Sequence, residues 1–335
     1  MKKVCSLLLI VFLLMKTGIV LAEQTSVPAN EGISRICASV FDLAESEMFF
    51  TEVMELTKVG EGTLEASVVH TLYGLDCDAR YVMLKNEVQT TLLQLIEFSE
   101  RPQKTSRQGY RTWDYGYYDI AFRCADIQKV YADLSAQGYE FPCPPYQYVT
   151  TWSGTEVFEA VMYGPNDMPL ALINKTANTP EFEGMFRNFP DVVLVVDNMD
   201  TADRFYVDVL GMSKVFDMEM EKGLVDPIVG TVGTDIVTRI GMYMGGGATP
   251  IIEILDYSEE GVSMTEEGAS VPGNAGIFAT CFMVENVDAI LESAAEQGFA
   301  ASSETLEMEL APYGVIRTAL VSGPNGSLVE IFEIL

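Results

Sequence analysis

The sequence of 335 residues contains one histidine, His70. That single imidazole excludes every site that needs two: His-rich zinc centres, the two-histidine, one-carboxylate iron triad, and relays of several histidines. Positive charge is nearly as scarce. Twenty lysines and arginines face 49 acids, for a formal net charge of −29. Three of those bases, Lys2, Lys3 and Lys16, fall within the first 22 residues, which hold no acid. A surface so poor in cations argues against nucleic acid and anionic membrane as partners, since both require a basic face. It implies a heavily hydrated, self-repelling surface, as in salty or extracytoplasmic settings. No membrane-length apolar run occurs after residue 22; stretches such as Val192–Val196 are strand-sized. Cysteine is sparse and irregular. The five beyond the leader, Cys37, Cys77, Cys124, Cys143 and Cys281, form no disulfide framework and read as small buried apolar side chains. One bridge is compatible with an oxidising compartment, but the sequence does not choose its partners.

What is present begins with an export signal. Met1-Lys2-Lys3 is a basic start, Val4–Met15 is an apolar run too short to span as a helix, and Val20-Leu21-Ala22 fits a small-residue cleavage site. The expected mature chain starts near Glu23, is soluble, and is periplasmic or secreted, with no membrane association after cleavage. Apolar residues make up 48% of the chain, which specifies a packed globular protein. A mature length of about 310 residues suits two domains.

The chain repeats itself. Leu92–Glu100 matches Ile251–Glu259, Phe122–Tyr139 matches Phe282–Phe299, and the Gly-Pro-Asn at 164–166 matches that at 323–325. Phe49–Met54 matches Phe205–Leu210. Four matched blocks in one order, at nearly constant offset, indicate duplication. Each half restarts once more. A strand such as Asp191–Val196 leads into a helix over Asp200–Leu210 closed by Gly211. The pattern begins again at Ile120–Cys124 with a helix over Ile127–Gln137, and at Phe278–Val284 with a helix over Val287–Gln297. The fold class is therefore α+β: four β-α-β-β-β modules, paired into curved mixed sheets with helices outside and a cleft inside. The boundaries are a signal peptide at 1–22, a first domain at 32–175, a linker at 176–187 and a second domain at 188–335.

Two segments carry a family resemblance. Asp191–Met212 (DVVLVVDNMDTADRFYVDVLGM) resembles the opening strand, helix and "FY…LGM" close of the vicinal oxygen chelate superfamily, which includes glyoxalase I, bleomycin-resistance proteins and extradiol dioxygenases. Gly323–Phe332 (GPNGSLVEIF) is similar to that family's DPxGN turn and final glutamate strand, with Gly323 where Asp is usual. The resemblance covers essentially the whole mature chain. It implies two tandem glyoxalase-like domains and says little about the reaction, because this fold hosts many chemistries.

The resemblance also places metal ligands at the first residue of each module's opening strand and on its last strand. Carried over, those positions are Arg35 and Gln94, Asp119 and Ala171, Asp191 and Glu253, and Ala279 and Glu330. None is histidine, so an extradiol iron site cannot be built. Arg35 cannot ligate a cation and would face Asp119 if modules pair within a half. Pairing within a half would gather Asp191, Glu253 and Glu330. Pairing across halves would gather Asp119, Asp191 and Glu253. An all-oxygen set suits magnesium, manganese or calcium better than zinc or iron.

Strand parity turns Cys37, Ala121, Arg123, Val193 and Cys281 toward the clefts. Arg123 is a candidate anchor for an anionic substrate group, and Arg35 and Gln94 are further candidates for substrate contact. The aromatic run Tyr110, Trp113, Tyr115, Tyr117, Tyr118, Tyr146, Tyr148 and Trp152 is a candidate pocket wall. His70 reads as a strand residue, and Gly245–Gly247 as a hairpin tip. Two functions fit. One is a lyase or isomerase using a divalent metal on a small-molecule substrate, with Glu330 moving the proton. The other is a small-molecule-binding protein of the bleomycin-resistance kind, with a degenerate metal site.

Overall fold

The computed structural model describes residues 31–100, 104–150, 153–175, 183–247 and 251–335. The expected signal peptide, residues 176–182 of the expected linker, and Trp152 lie outside the described residues.

The four modules are present in chain order. The first is β1 (Ile33–Ser39), α1 (Leu43–Met48), β2 (Thr57–Leu64), β3 (Ala79–Lys85) and β4 (Leu92–Phe98), with α2 (Ala66–Tyr73) between β2 and β3. The second is β5 (Gly116–Arg123), α3 (Ile127–Ala136), β6 (Tyr146–Val149), β7 (Glu156–Tyr163) and β8 (Pro169–Lys175). The third is β9 (Asp191–Val196), α4 (Met199–Asp203), β10 (Ser213–Glu219), β11 (Thr238–Met244) and β12 (Ile251–Tyr257), with α5 (Asp226–Val229) between β10 and β11. The fourth is β13 (Gly276–Met283), α6 (Val287–Glu296), β14 (Leu306–Leu310), β15 (Gly314–Ser322) and β16 (Leu328–Ile334).

Each module starts its helix in the same way. Asp42, Asp126, Asn198 and Asn286 hold extended backbone and accept, through the side chain, from Glu45 N, Lys129 N, Asp200 N and Ala289 N. An Asx residue two or three positions past an apolar strand thus turns the chain and satisfies an amide the helix leaves open. The expected helix over Asp200–Leu210 is shorter than its pattern suggests: α4 passes into a wide π turn at Arg204–Val209. Phe205 and Tyr206 on this turn are both fully buried. His70 is not on a strand. It lies on α2, whose Val69 and Leu72 face the core at helical spacing, while its own Nδ1 meets Asp76 at 2.7 Å in solvent.

The modules pair across the halves. One eight-stranded sheet has the order β14-β15-β16-β13-β1-β4-β3-β2, and the other β10-β11-β12-β9-β5-β8-β7-β6. Modules one and four share the first sheet and modules two and three the second, joined by the antiparallel pairs β1–β13 and β5–β9. The helices and the outer faces of both sheets merge in one core containing Phe50, Phe122, Phe205, Tyr206 and Phe282. Tyr117 hydroxyl crosses between sheets, paired with Thr280 Oγ1 at 2.8 Å and donating to Leu328 O at 2.9 Å.

The Gly-Pro-Asn turns do the same work twice. Asn166 and Asn325 take positive φ, 60° and 52°. Asn166 Oδ1 accepts from Phe41 N and Asn325 Oδ1 from Asp197 N, each tying its turn to the end of an opening strand in the other sheet. Positive φ and a short amide side chain are an asparagine combination.

Candidate functional site

The inner faces of the two sheets form two clefts of opposite character. In the first, Arg35 on β1 is 1% exposed and forms an ion pair with the equally buried Glu330 of β16. Its guanidinium lies 4.9 Å from the Phe332 ring centre and 5.9 Å from that of Tyr313. Thr318 Oγ1 donates to Glu330 Oε1 at 2.8 Å. Cys37 Sγ donates to Gln94 Oε1 at 3.1 Å and lies 3.2 Å from Cys281 Sγ. Burial works against the Arg35 charge, but the fields of Cys281, Glu330 and Cys37 outweigh it and hold its pKa well above the ordinary value. Burial, helped by the Cys37 contact, raises Cys281 far beyond a normal thiol.

Cys37, Cys281 and Glu330 bring one ligating atom each within 4.8 Å of one another, the one such set among the described residues. A cation does not fit there while Arg35 is paired with Glu330, because a permanent positive charge already occupies the carboxylate. The Arg35–Asp119 bridge considered from the sequence is not formed: those residues belong to different sheets. Glu330 likewise stands apart from Asp191 and Glu253.

The second cleft is a cavity of about 260 Å³. Asp119 from β5, Asp191 from β9 and Glu253 from β12 line it, as pairing across halves requires. A fourth carboxylate, Glu159 of β7, joins them and accepts from Tyr148 hydroxyl at 2.7 Å. Arg123 and Lys175 line the same space. The opposite wall is apolar: Met220, Val225, Ile228, Val229, Ile240 and Met242, largely from the third module and α5. Asp119 is 4% exposed and its Oδ1 has no hydrogen-bond partner; Arg123 Nη1 is also buried without one.

Electrostatics follow from this crowding. Burial pushes Asp191 up to about 6, against the pull of Arg123 and Lys175. Burial also raises Glu159 to about 7, opposed by the Tyr148 hydrogen bond and reinforced by Asp191. Glu253 and Asp119 rise well above the carboxylate range, first from burial and then from the other acids. Burial lowers Lys175. Four carboxylates against two cations leave two negative charges when all are ionised, matching one divalent ion. The unpartnered Asp119 oxygen and the all-oxygen donor set have the chemistry a hard cation takes, although no three of these carboxylates bring an oxygen each within 4.8 Å of one another, so a cation held by three of them would have to draw them closer.

The other sequence candidates divide. Tyr118 and Tyr148 line the cavity, whereas Tyr117 points into the core between sheets. Val193 lines it too, while Ala121 packs beneath with Val157 and Ala171. Sequence reasoning missed Glu159 and Lys175. The signal for Glu159 was its parity with Val157 and Val161 on β7: an acid at an inward strand position.

Residues 188–331 match the family Glyoxalase/Bleomycin resistance protein/Dioxygenase superfamily. No curated protein matches the chain in sequence. Among solved structures, glyoxalase I from Zea mays superposes with TM-score 0.58 at 14% identity, over 90% of this chain and 92% of that one. A candidate dioxygenase from Bacillus subtilis gives TM-score 0.55 at 13% identity, over 92% and 86%. These likenesses establish the fold and leave the reaction open. The sequence match thus covers residues 188–331, and over the whole chain the likeness is one of fold: glyoxalase-like modules in tandem, paired into two sheets.

Proposed function

We propose that the cavity of the second sheet binds a small molecule together with a hard divalent cation, and that the chain is a lyase or isomerase. The observation that supports this reading is the convergence of Asp119, Asp191, Glu253 and Glu159 on one enclosed space, with an Asp119 oxygen left unpartnered. Asp119, Asp191 and Glu253 would hold magnesium, manganese or calcium, which when bound polarises substrate oxygens. Glu159, next to these ligands and oriented by Tyr148, takes the proton role first considered for Glu330. Arg123 and Lys175 orient an anionic substrate group, and the Met220–Met242 wall excludes water from an apolar portion.

A second reading is a binding protein without catalysis. It is favoured by the two cations beside the acids, which offset part of their charge without a metal.

Manganese titration followed by electron spin resonance separates the two. Saturable binding of one ion in wild type, lost in Asp191→Asn/Glu253→Gln, supports the metal reading; no binding refutes it. Export is also part of the proposal. The apolar leader and the acidic remainder support a chain that works outside the cytoplasm. An intact mass retaining residues 1–22 in exported protein would refute this.

A further inference from the structure

The cleft of the Arg35–Glu330 pair contains two groups that the proposed function does not use. Cys37 on β1 and Cys281 on β13 are fully buried, with their sulfurs 3.2 Å apart and 244 positions apart in sequence. They come from different halves of the chain. In the antiparallel ladder Cys37 stands opposite Ala279 and Cys281 opposite Arg35, so the two are diagonal neighbours. Diagonal neighbours in a regular ladder stand about 7–8 Å apart, within reach of long or aromatic side chains but far for two short cysteines. Here the register shifts between Ile33 and Arg35 and again between Cys37 and Ala38, on both sides of the pair. Such irregularities raise local twist and bring one diagonal together. The remaining cysteines are placed differently: Cys77 and Cys124 pack in apolar surroundings, and Cys143 is partly exposed.

We infer that Cys37 and Cys281 form a disulfide under oxidising conditions, a redox-dependent staple joining β1 of the first half to β13 of the second. The oxidant is a small disulfide of the glutathione class. One cysteine thiolate attacks a glutathione sulfur and expels one glutathione thiolate. The other cysteine thiolate then attacks the mixed disulfide at the protein sulfur and expels the second. The protein loses two electrons and two protons, and one glutathione disulfide becomes two glutathione thiols. Because both sulfurs are shielded by the sheet, the bridge forms while the chain folds or through local opening. Once made, it closes a very long loop and removes the thiols beside Glu330 from any competing chemistry.

The test uses the full purified chain, equilibrated with glutathione buffers of rising oxidised fraction, both folded and after dilution from urea. The samples are acid-quenched, unfolded, alkylated and mapped by peptide mass. The expected product links the Cys37 and Cys281 peptides, carries no glutathione on either, and melts higher by roughly 10 °C. In Cys281→Ala that link and the rise in melting temperature both disappear. Cys143 serves as the internal control for oxidant. If Cys143 carries glutathione while Cys37 and Cys281 both alkylate as free thiols, the inference is overturned. It is equally overturned if Cys37 pairs with another cysteine, or if added zinc is bound by the pair and protects it from oxidation.

Discussion

The two clefts share one backbone plan and differ in what stands at four equivalent positions. In the first sheet these are Arg35, Gln94, Ala279 and Glu330; in the second they are Asp119, Ala171, Asp191 and Glu253. A single arginine converts the first set into a closed ion pair stacked on Phe332. Three acids with no base among the equivalent positions, and with Arg123 and Lys175 set beside them, leave the second open around a cavity. The lesson is that module geometry supplies a convergence of side chains, and the sign of one residue decides whether the convergence is filled by protein or left for a ligand.

The largest expected effect comes from breaking the filled cleft. Glu330→Gln leaves Arg35 buried with no counter-charge, at a cost of about 3–5 kcal/mol in urea unfolding. Adding Arg35→Met to Glu330→Gln should recover much of that loss, since neither charge then remains. An unchanged unfolding midpoint for Glu330→Gln would contradict the ion pair.

The open cleft should respond with the opposite sign. Asp191→Asn/Glu253→Gln removes mutually repelling buried charge, so the metal-free protein should melt higher than wild type. In wild type a cation at 100 times its dissociation constant should add about 2.7 kcal/mol, and that gain should vanish in the double variant. A metal-induced shift that survives the substitutions would sink the metal reading.

A third measurement uses pH. Asp191 and Glu159 hold their protons up to about 6 and about 7 in the fold, well above their unfolded values of about 4. Between those limits the folded state binds more protons than the unfolded one, so stability is fully present at the acid end and falls as pH rises through the folded values. Each tenfold gain in proton affinity on folding is worth roughly 1.4 kcal/mol. The unfolding free energy of wild type minus that of Asp191→Asn, followed from pH 4 to 8, should decline and then level. A flat difference would show that Asp191 is not desolvated.

The smallest effect should be the same in both sheets. Asn166→Ala and Asn325→Ala each lose a side-chain acceptor and strain a positive φ, at a cost of about 1 kcal/mol apiece. Unequal losses would show that the turns are not equivalent, as the clefts are not.

Much of the fold was legible in the sequence. The internal repeat, the glycines after the helices and the apolar openings of β9 and β13 locate the modules because local geometry dictates them. Which modules pair was not legible, since the opening strands β9 and β13 are apolar on both faces and fit several neighbours. That pairing decided the site: Asp119 joins Asp191 and Glu253, while Glu330 goes to Arg35. Asp191 and Glu253 share a module and would meet in either arrangement. Glu159 escaped notice because among 49 acids a single strand glutamate has no distinguishing neighbour in sequence. Helix α2 was misread because four of its residues, Val68, Val69, Thr71 and Tyr73, favour strands locally, and burial of Val69 and Leu72 overrode that preference.

The crossed pairing also sets an order of assembly. Strands β5 to β12 are contiguous in the chain, so the second sheet has all its strands once residue 257 has been made. The first sheet cannot close then, because β1 must wait for β13, which begins at Gly276. Contacts of such long sequence separation form slowly. Until β13 arrives, the apolar β1 presents an unpaired edge that any other extended strand can occupy. The cleft closed by the Arg35–Glu330 pair is therefore the last to form and the most exposed to mispairing during synthesis.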